Sequence, residues 1–172
     1  MTLRRREALA AVAGSVALAA AAPAAAQRGS VRATLEDLLS LERTLESMYD
    51  AAARRGVVPV ELGERLRDHE REHAEGLEQA LTGKRAPVAT VPSAALSRAL
   101  ASGAAAFLRY ALRAEEDAVR AYAAAATGLR DPELLQPLGS IMAAEGQHLV
   151  ALRSELGVKP LTHAFEIGAR VG

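Results

Sequence analysis

A Glu-x6-Tyr segment followed several turns later by a Glu-x-x-His segment occurs twice in this chain, as Glu42, Tyr49, Glu70 and His73 and again as Glu115, Tyr122, Glu145 and His148. Each copy reads as a helical hairpin. What makes the repeat a constraint on folding is where its polar residues fall: inside the apolar stripes of the helices that carry them.

The stripes follow from the spacing of the hydrophobic residues. Leu35, Leu38, Leu39, Leu41, Leu45, Met48, Tyr49 and Ala52 recur at helical spacing up to Gly56, which predicts a first helix with Thr34 as N-cap and Glu36 and Asp37 in its first turn. A second helix runs from Pro59 or Val60 to Leu81, with Leu62, Leu66, Ala74, Leu77 and Leu81 on its stripe and Gly83 just past its end. Residues 82–92 form a polar, proline-containing connection. Pro92-Ser93 then opens a third helical region, in which Gly103 separates a short piece from a main helix over about 104–127. Asp131-Pro132 opens the fourth helix, which carries Leu134, Leu138, Ile141, Leu149, Leu152 and Leu156 and stops at Gly157. Residues 157–172 read as an irregular C-terminal strap. No segment alternates with period two, so the predicted class is all-α: a four-helix bundle over residues 35–156 with a long connection between helices two and three.

On helical wheels Glu42 lies roughly 40° from the centre of its apolar arc, and Glu70 and His73 bracket the centre of theirs within about 30°. Glu115 lies about 50° from the centre of the third stripe, while Glu145 falls near the middle of the fourth, with His148 on the same flank. Glu36, Glu64, Glu72, Glu75, Glu78 and Glu116 fall on solvated faces. His69 reads as a partly exposed surface histidine beside acids, and His163 in the strap is not an expected ligand.

An isolated buried carboxylate costs several kcal/mol against a whole-domain stability of only about 5–15 kcal/mol, so four uncompensated ones would prevent folding. Two divalent cations neutralise four carboxylates, and two neutral imidazoles complete the coordination. Glu-x-x-His suits this because residues three apart share a helix face and present an oxygen beside a nitrogen. The expected metal ligands are therefore Glu42, Glu70, His73, Glu115, Glu145 and His148. The competing reading is a bundle with buried Glu/His hydrogen bonds and protonated carboxyls. Tyr49 and Tyr122 each stand two turns beyond a glutamate, close enough for a hydrogen bond to a ligand carboxylate; a core tyrosine or a redox-active one are the other readings.

The first residues are set apart from this domain. Arg4, Arg5 and Arg6 precede an apolar run from Ala8 to Ala22 and then Pro23-Ala24-Ala25-Ala26, so residues 1–26 read as a cleavable export signal and residues 27–34 as a linker. The run is shorter than the roughly twenty residues that span a bilayer, and Arg5-Arg6 resembles a twin-arginine signal with Ala8 in place of a large apolar residue; a Sec signal and an uncleaved anchor are the other readings. A periplasmic or extracellular protein is expected, with no membrane span in the mature chain. Without cysteine there is neither a disulfide nor a thiolate site. Removal of residues 1–26 leaves 18 basic against 20 acidic side chains, too even a balance for nucleic-acid binding.

Taken together, Leu41-Glu42-x6-Tyr49, Asp68-His69-Glu70-Arg71-Glu72-His73, Glu115-x6-Tyr122 and Glu145-Gly146-Gln147-His148 resemble the ferritin-like superfamily, in particular small exported bacterial proteins with a ferritin-like domain, and more distantly rubrerythrins and bacterioferritins. The resemblance implies helix pairs related by a pseudo-twofold axis, a connection that crosses the bundle, and His73 and His148 each on one metal. It leaves open which glutamates bridge. Neither a Cys-rich rubredoxin segment nor a fifth-helix pattern is present, which argues against the rubrerythrin electron route and against a ferritin cage. Oxygen and nitrogen ligands favour two iron ions, with manganese as the alternative. The expected function is a dinuclear centre that oxidises ferrous iron or reacts with oxygen or peroxide, as a ferroxidase- or peroxidase-like oxidoreductase. The alternative is a non-catalytic exported stress, interaction or metal-sequestering protein with a structural metal site. A homodimer is compatible with either.

Overall fold

The computed structural model describes residues 7–81 and 93–161, with side chains from Ser30 onward. It divides into two compact units, Met1–Thr34 and Leu35–Gly172, and the second contains the whole of the repeated pattern. The helices are α1 (Glu7–Arg54), α2 (Val60–Ala80), α3 (Ala94–Ala101), α4 (Ala104–Gly128) and α5 (Pro132–Glu155), and no strand is present among the described residues. The all-α class is as the sequence predicts.

Helix α1 departs from expectation at its start. Residues 27–34, read as a linker, are helical, and Thr34 does not cap: its hydroxyl donates to the Ser30 carbonyl at 2.9 Å. The alanine-rich stretch before them has the highest helix propensity of any residue type, and no proline occurs between residues 24 and 58, so nothing there forces a break. With a helical turn already upstream, the backbone N–H groups that a cap would satisfy have partners.

The other helices begin and end where the punctuation residues put them. Asp131 caps α5 by accepting from the Glu133 N–H at 3.0 Å, with Pro132 at the first helical position. Ser93 does the same for α3 through the Leu96 N–H at 3.0 Å. Between α3 and α4, Gly103 adopts φ +90°, a conformation that a side chain disfavours, and the chain turns from the short helix into the long one there. The connection from α2 to α4 thus carries helix α3, while residues 82–92, and with them Gly83, lie outside the described residues, as do residues 162–172 of the expected strap.

In the second unit the predicted stripes converge on one core. Leu45, Met48, Tyr49 and Ala52 of α1, Leu66 of α2, Leu96 and Leu100 of α3, Phe107, Leu108, Ala111 and Ala118 of α4 and Leu152 of α5 pack together, all nearly inaccessible. The end of α1 and the start of α2 approach closely at Gly63, where a Cβ would lie 3.0 Å from that of Ala53 and 3.1 Å from Cγ2 of Val58. Helix α4 packs on α5 and on α3, and α5 also touches α2.

Candidate metal centre

Each of four helices contributes the residues that its stripe predicts. Glu70 and His73 stand one turn apart on α2, and Glu145 and His148 one turn apart on α5, so each helix offers an oxygen and a nitrogen on one face. Glu42 comes from α1 and Glu115 from α4. All four glutamates are 0 % exposed, and the side chains of His148 and His73 are 3 % and 11 % exposed.

The six residues form two overlapping sets, Glu42, Glu70, His73 and Glu145 on one side and Glu70, Glu115, Glu145 and His148 on the other; within each set one ligand atom per residue lies within 4.8 Å of all the others. His73 Nδ1 is 3.0 Å from Glu145 Oε1 and 3.4 Å from both Glu42 Oε2 and Glu70 Oε2. His148 Nδ1 is 3.1 Å from Glu70 Oε1 and from Glu145 Oε2, and 3.6 Å from Glu115 Oε1. Glu70 and Glu145 therefore turn one oxygen toward each histidine, whereas Glu42 and Glu115 each serve a single side. The geometry gives Glu70 and Glu145 the central place that spacing alone leaves undecided.

These short distances do not amount to a satisfied network. Glu42 Oε2, both oxygens of Glu70, Glu115 Oε2, Glu145 Oε1 and His73 Nδ1 are buried without a hydrogen bond of acceptable geometry. Native interiors leave few such atoms, and here six converge on one place. The donor set, hard carboxylate oxygens with two imidazole nitrogens, fits divalent iron, manganese or zinc, and the orphaned atoms are the ones such ions would take.

Burial and mutual proximity also shift the protonation of the cluster. Burial drives Glu42 up to about 8, with Glu145 and Glu70 adding to it and His73 opposing it. Burial, Glu70 and Glu145 push Glu115 well above the carboxylate range. Burial also acts to raise Glu70 and Glu145, but His148 and His73 outweigh it and hold both below their ordinary value. For the imidazoles burial favours the neutral form, yet the surrounding carboxylates prevail: His73 rises to about 11 through Glu145, Glu42 and Glu70, and His148 to about 12 through Glu115, Glu145 and Glu70. Two carboxyls and two imidazoles thus favour their protonated forms. Four protons carry the charge of two divalent cations.

The tyrosines reach the carboxylates by crossing between hairpins. Tyr122 of α4 donates to Glu42 Oε1 of α1 at 2.6 Å, and Tyr49 of α1 donates to Glu115 Oε1 of α4. The bond to Glu42 occupies Oε1 and leaves Oε2 facing His73, whereas Glu115 Oε1 both accepts from Tyr49 and faces His148, and Glu115 Oε2 is buried without a partner. Burial, with the adjacent carboxylates, raises both phenols, so both remain donors. Both tyrosines are thus buried core residues, and the hydroxyl of each is bonded to a cluster carboxylate.

Three residues have surroundings that the sequence reading misses. His69 is half-buried as expected, but its Nδ1 lies 3.0 Å from Nε2 of His148, a contact between helices that no local spacing encodes. Burial, followed by His148 and His73, lowers its pKa. Glu116, placed by its wheel on a solvated face, is only 3 % exposed and lies 3.9 Å from Arg153, which is itself buried and donates to the Pro160 carbonyl at 3.4 Å. Because α4 packs against both α3 and α5, its buried sector is wider than one apolar stripe. His163 lies outside the described residues.

No curated protein and no solved structure matches the chain. The ferritin-like domain does, over residues 33–158, which spans all four motif segments and both hairpins. With a match over well more than half its length, an all-helical fold and a cluster of carboxylates and imidazoles able to hold a metal ion, the chain belongs to the ferritin-like domain family.

Proposed function

We propose that the cluster is a dinuclear iron centre, and that the protein uses it outside the cytoplasm to oxidise ferrous iron or to react with oxygen or peroxide. The observation that carries this reading is the sharing of Glu70 and Glu145 between two four-residue sets, one ending in His73 and the other in His148. A single ion would leave half of these buried groups uncompensated. Two divalent ions match four carboxylates.

When bound, a pair of iron ions supplies one-electron chemistry with oxygen or peroxide. The protein supports it through its own groups. Glu70 and Glu145 would serve both ions, Glu42 and Glu115 would each hold one, and Tyr122 and Tyr49 fix the rotamers of Glu42 and Glu115 by holding one oxygen of each. Leu45, Met48, Phe107 and Leu152 belong to the core that keeps bulk water away. Among the six cluster residues His73 is the most exposed, at 11 %, so small molecules meet the centre first on its side. Export is supported by Arg4–Arg6 and the apolar run that follows. No helix among the described residues is long and apolar enough to cross a membrane.

The test is oxygen consumption by the full chain loaded anaerobically with ferrous ion. The proposal expects oxygen uptake and ferrous oxidation above buffer, both abolished by Glu70→Ala. Stoichiometric metal uptake without turnover would instead support sequestration or a structural metal. N-terminal sequencing of the protein recovered from the periplasm or medium tests the export signal, with a start at Gln27 expected.

A further inference from the structure

We propose that His69 is a positioning residue for one half of the centre: its Nδ1 accepts the Nε2–H of His148, which leaves Nδ1 of His148 free to bind the ion shared with Glu70, Glu115 and Glu145. The inference rests on the cluster being a metal site. Its starting point is the 3.0 Å contact between His69 Nδ1 and His148 Nε2, made with the two rings inclined by only 22°. The other ring nitrogen of His148, Nδ1, faces Glu70 and Glu145 at 3.1 Å.

A neutral imidazole carries a single N–H, so His148 can offer a lone pair at Nδ1 only if its proton sits on Nε2. An acceptor beside Nε2 selects that tautomer and fixes the ring plane, and such outer partners commonly change metal affinity by about 10–100-fold. His69 occupies that place. Its own proton must then lie on its Nε2. The repeat does not supply the same device twice: His69 directly precedes Glu70, whereas Ala144 directly precedes Glu145. The two halves of the centre are therefore inequivalent, and loss of His69 acts on the half that contains His148 and Glu115.

The experiment compares the full chain with His69→Ala and His69→Gln in anaerobic titrations with cobalt(II), followed by its visible spectrum, together with nitrogen-15 NMR of the histidine rings. Wild-type protein is expected to take up two ions per chain. His69→Ala is expected to weaken one of them by about 10–100-fold and to leave the other unchanged. His69→Gln, whose amide oxygen can accept the same proton, recovers part of the loss. The ring spectra are expected to show scalar coupling between His148 Nε2–H and His69 Nδ1 before any metal is added. Unchanged affinity for both ions in His69→Ala, or an equal loss at both, overturns the positioning role while leaving the metal centre intact. Wild-type protein that takes up no cobalt overturns the centre and this inference together.

Discussion

Tyr122 and Tyr49 show how much of the site depends on single polar atoms. Each phenol satisfies one oxygen of a fully buried glutamate on the opposite hairpin. Removing one donor strands a buried carboxylate oxygen, at a cost of about 1–3 kcal/mol. Tyr122→Phe should therefore lower the unfolding free energy by that amount, read as a lower urea midpoint with an unchanged slope; a variant as stable as wild type would show that Glu42 does not need the bond. The shared and unshared glutamates separate in a second comparison. Glu145→Ala is expected to abolish uptake of both ions, because both sets include it, whereas Glu42→Ala removes one ion and spares the other. Metal-to-protein ratios after gel filtration measure this directly, and equal losses in the two variants would speak against Glu145 lying between the ions. At this scale the sequence is legible where a residue's role follows from its own helix: the inward glutamates and histidines all lie where their wheels place them. It is illegible where a role depends on a partner from another helix, as with His69 on His148 and Glu116 beside Arg153.

Among the elements, helices with explicit punctuation were readable and the one without it was not. Ser93, Gly103, Asp131-Pro132 and Gly157 mark α3, α4 and α5 to within a residue or two. Nothing marks the start of α1, and alanine propensity carries the helix through the stretch that polarity suggested as a linker. The contact between α1 and α2 is likewise silent in the sequence: Gly63 looks like an unfavourable residue in a helix interior until Ala53 is found against it. Gly63→Val should force that contact apart and cost about 1–3 kcal/mol, read as a lower thermal midpoint. A neutral effect would mean that α2 can shift away from Ala53 without loss.

For the molecule as a whole, proton and metal compete for the same interior. His73 and His148 favour the protonated form up to about 11 and about 12, Glu42 up to about 8, and Glu115 is raised as well. Metal binding requires the unprotonated form of each, so loading at pH 7 releases protons and affinity increases as pH increases. The dependence should lose about one proton of slope above pH 8, where Glu42 is already ionised without metal. Calorimetric titration with zinc in buffers of different ionisation enthalpy counts these protons; an affinity independent of pH would contradict the charge balance. Ions bound only by the folded chain also stabilise it, by about 4 kcal/mol at a thousand times the dissociation constant, so chelation should lower the unfolding midpoint. The most direct measurement is elemental analysis of the full chain after anaerobic loading with ferrous ion and removal of the excess. Two iron ions per chain, and none in Glu145→Ala, is the expected result; no retained iron, or a content that Glu145→Ala leaves unchanged, would contradict a centre built from these four buried carboxylates.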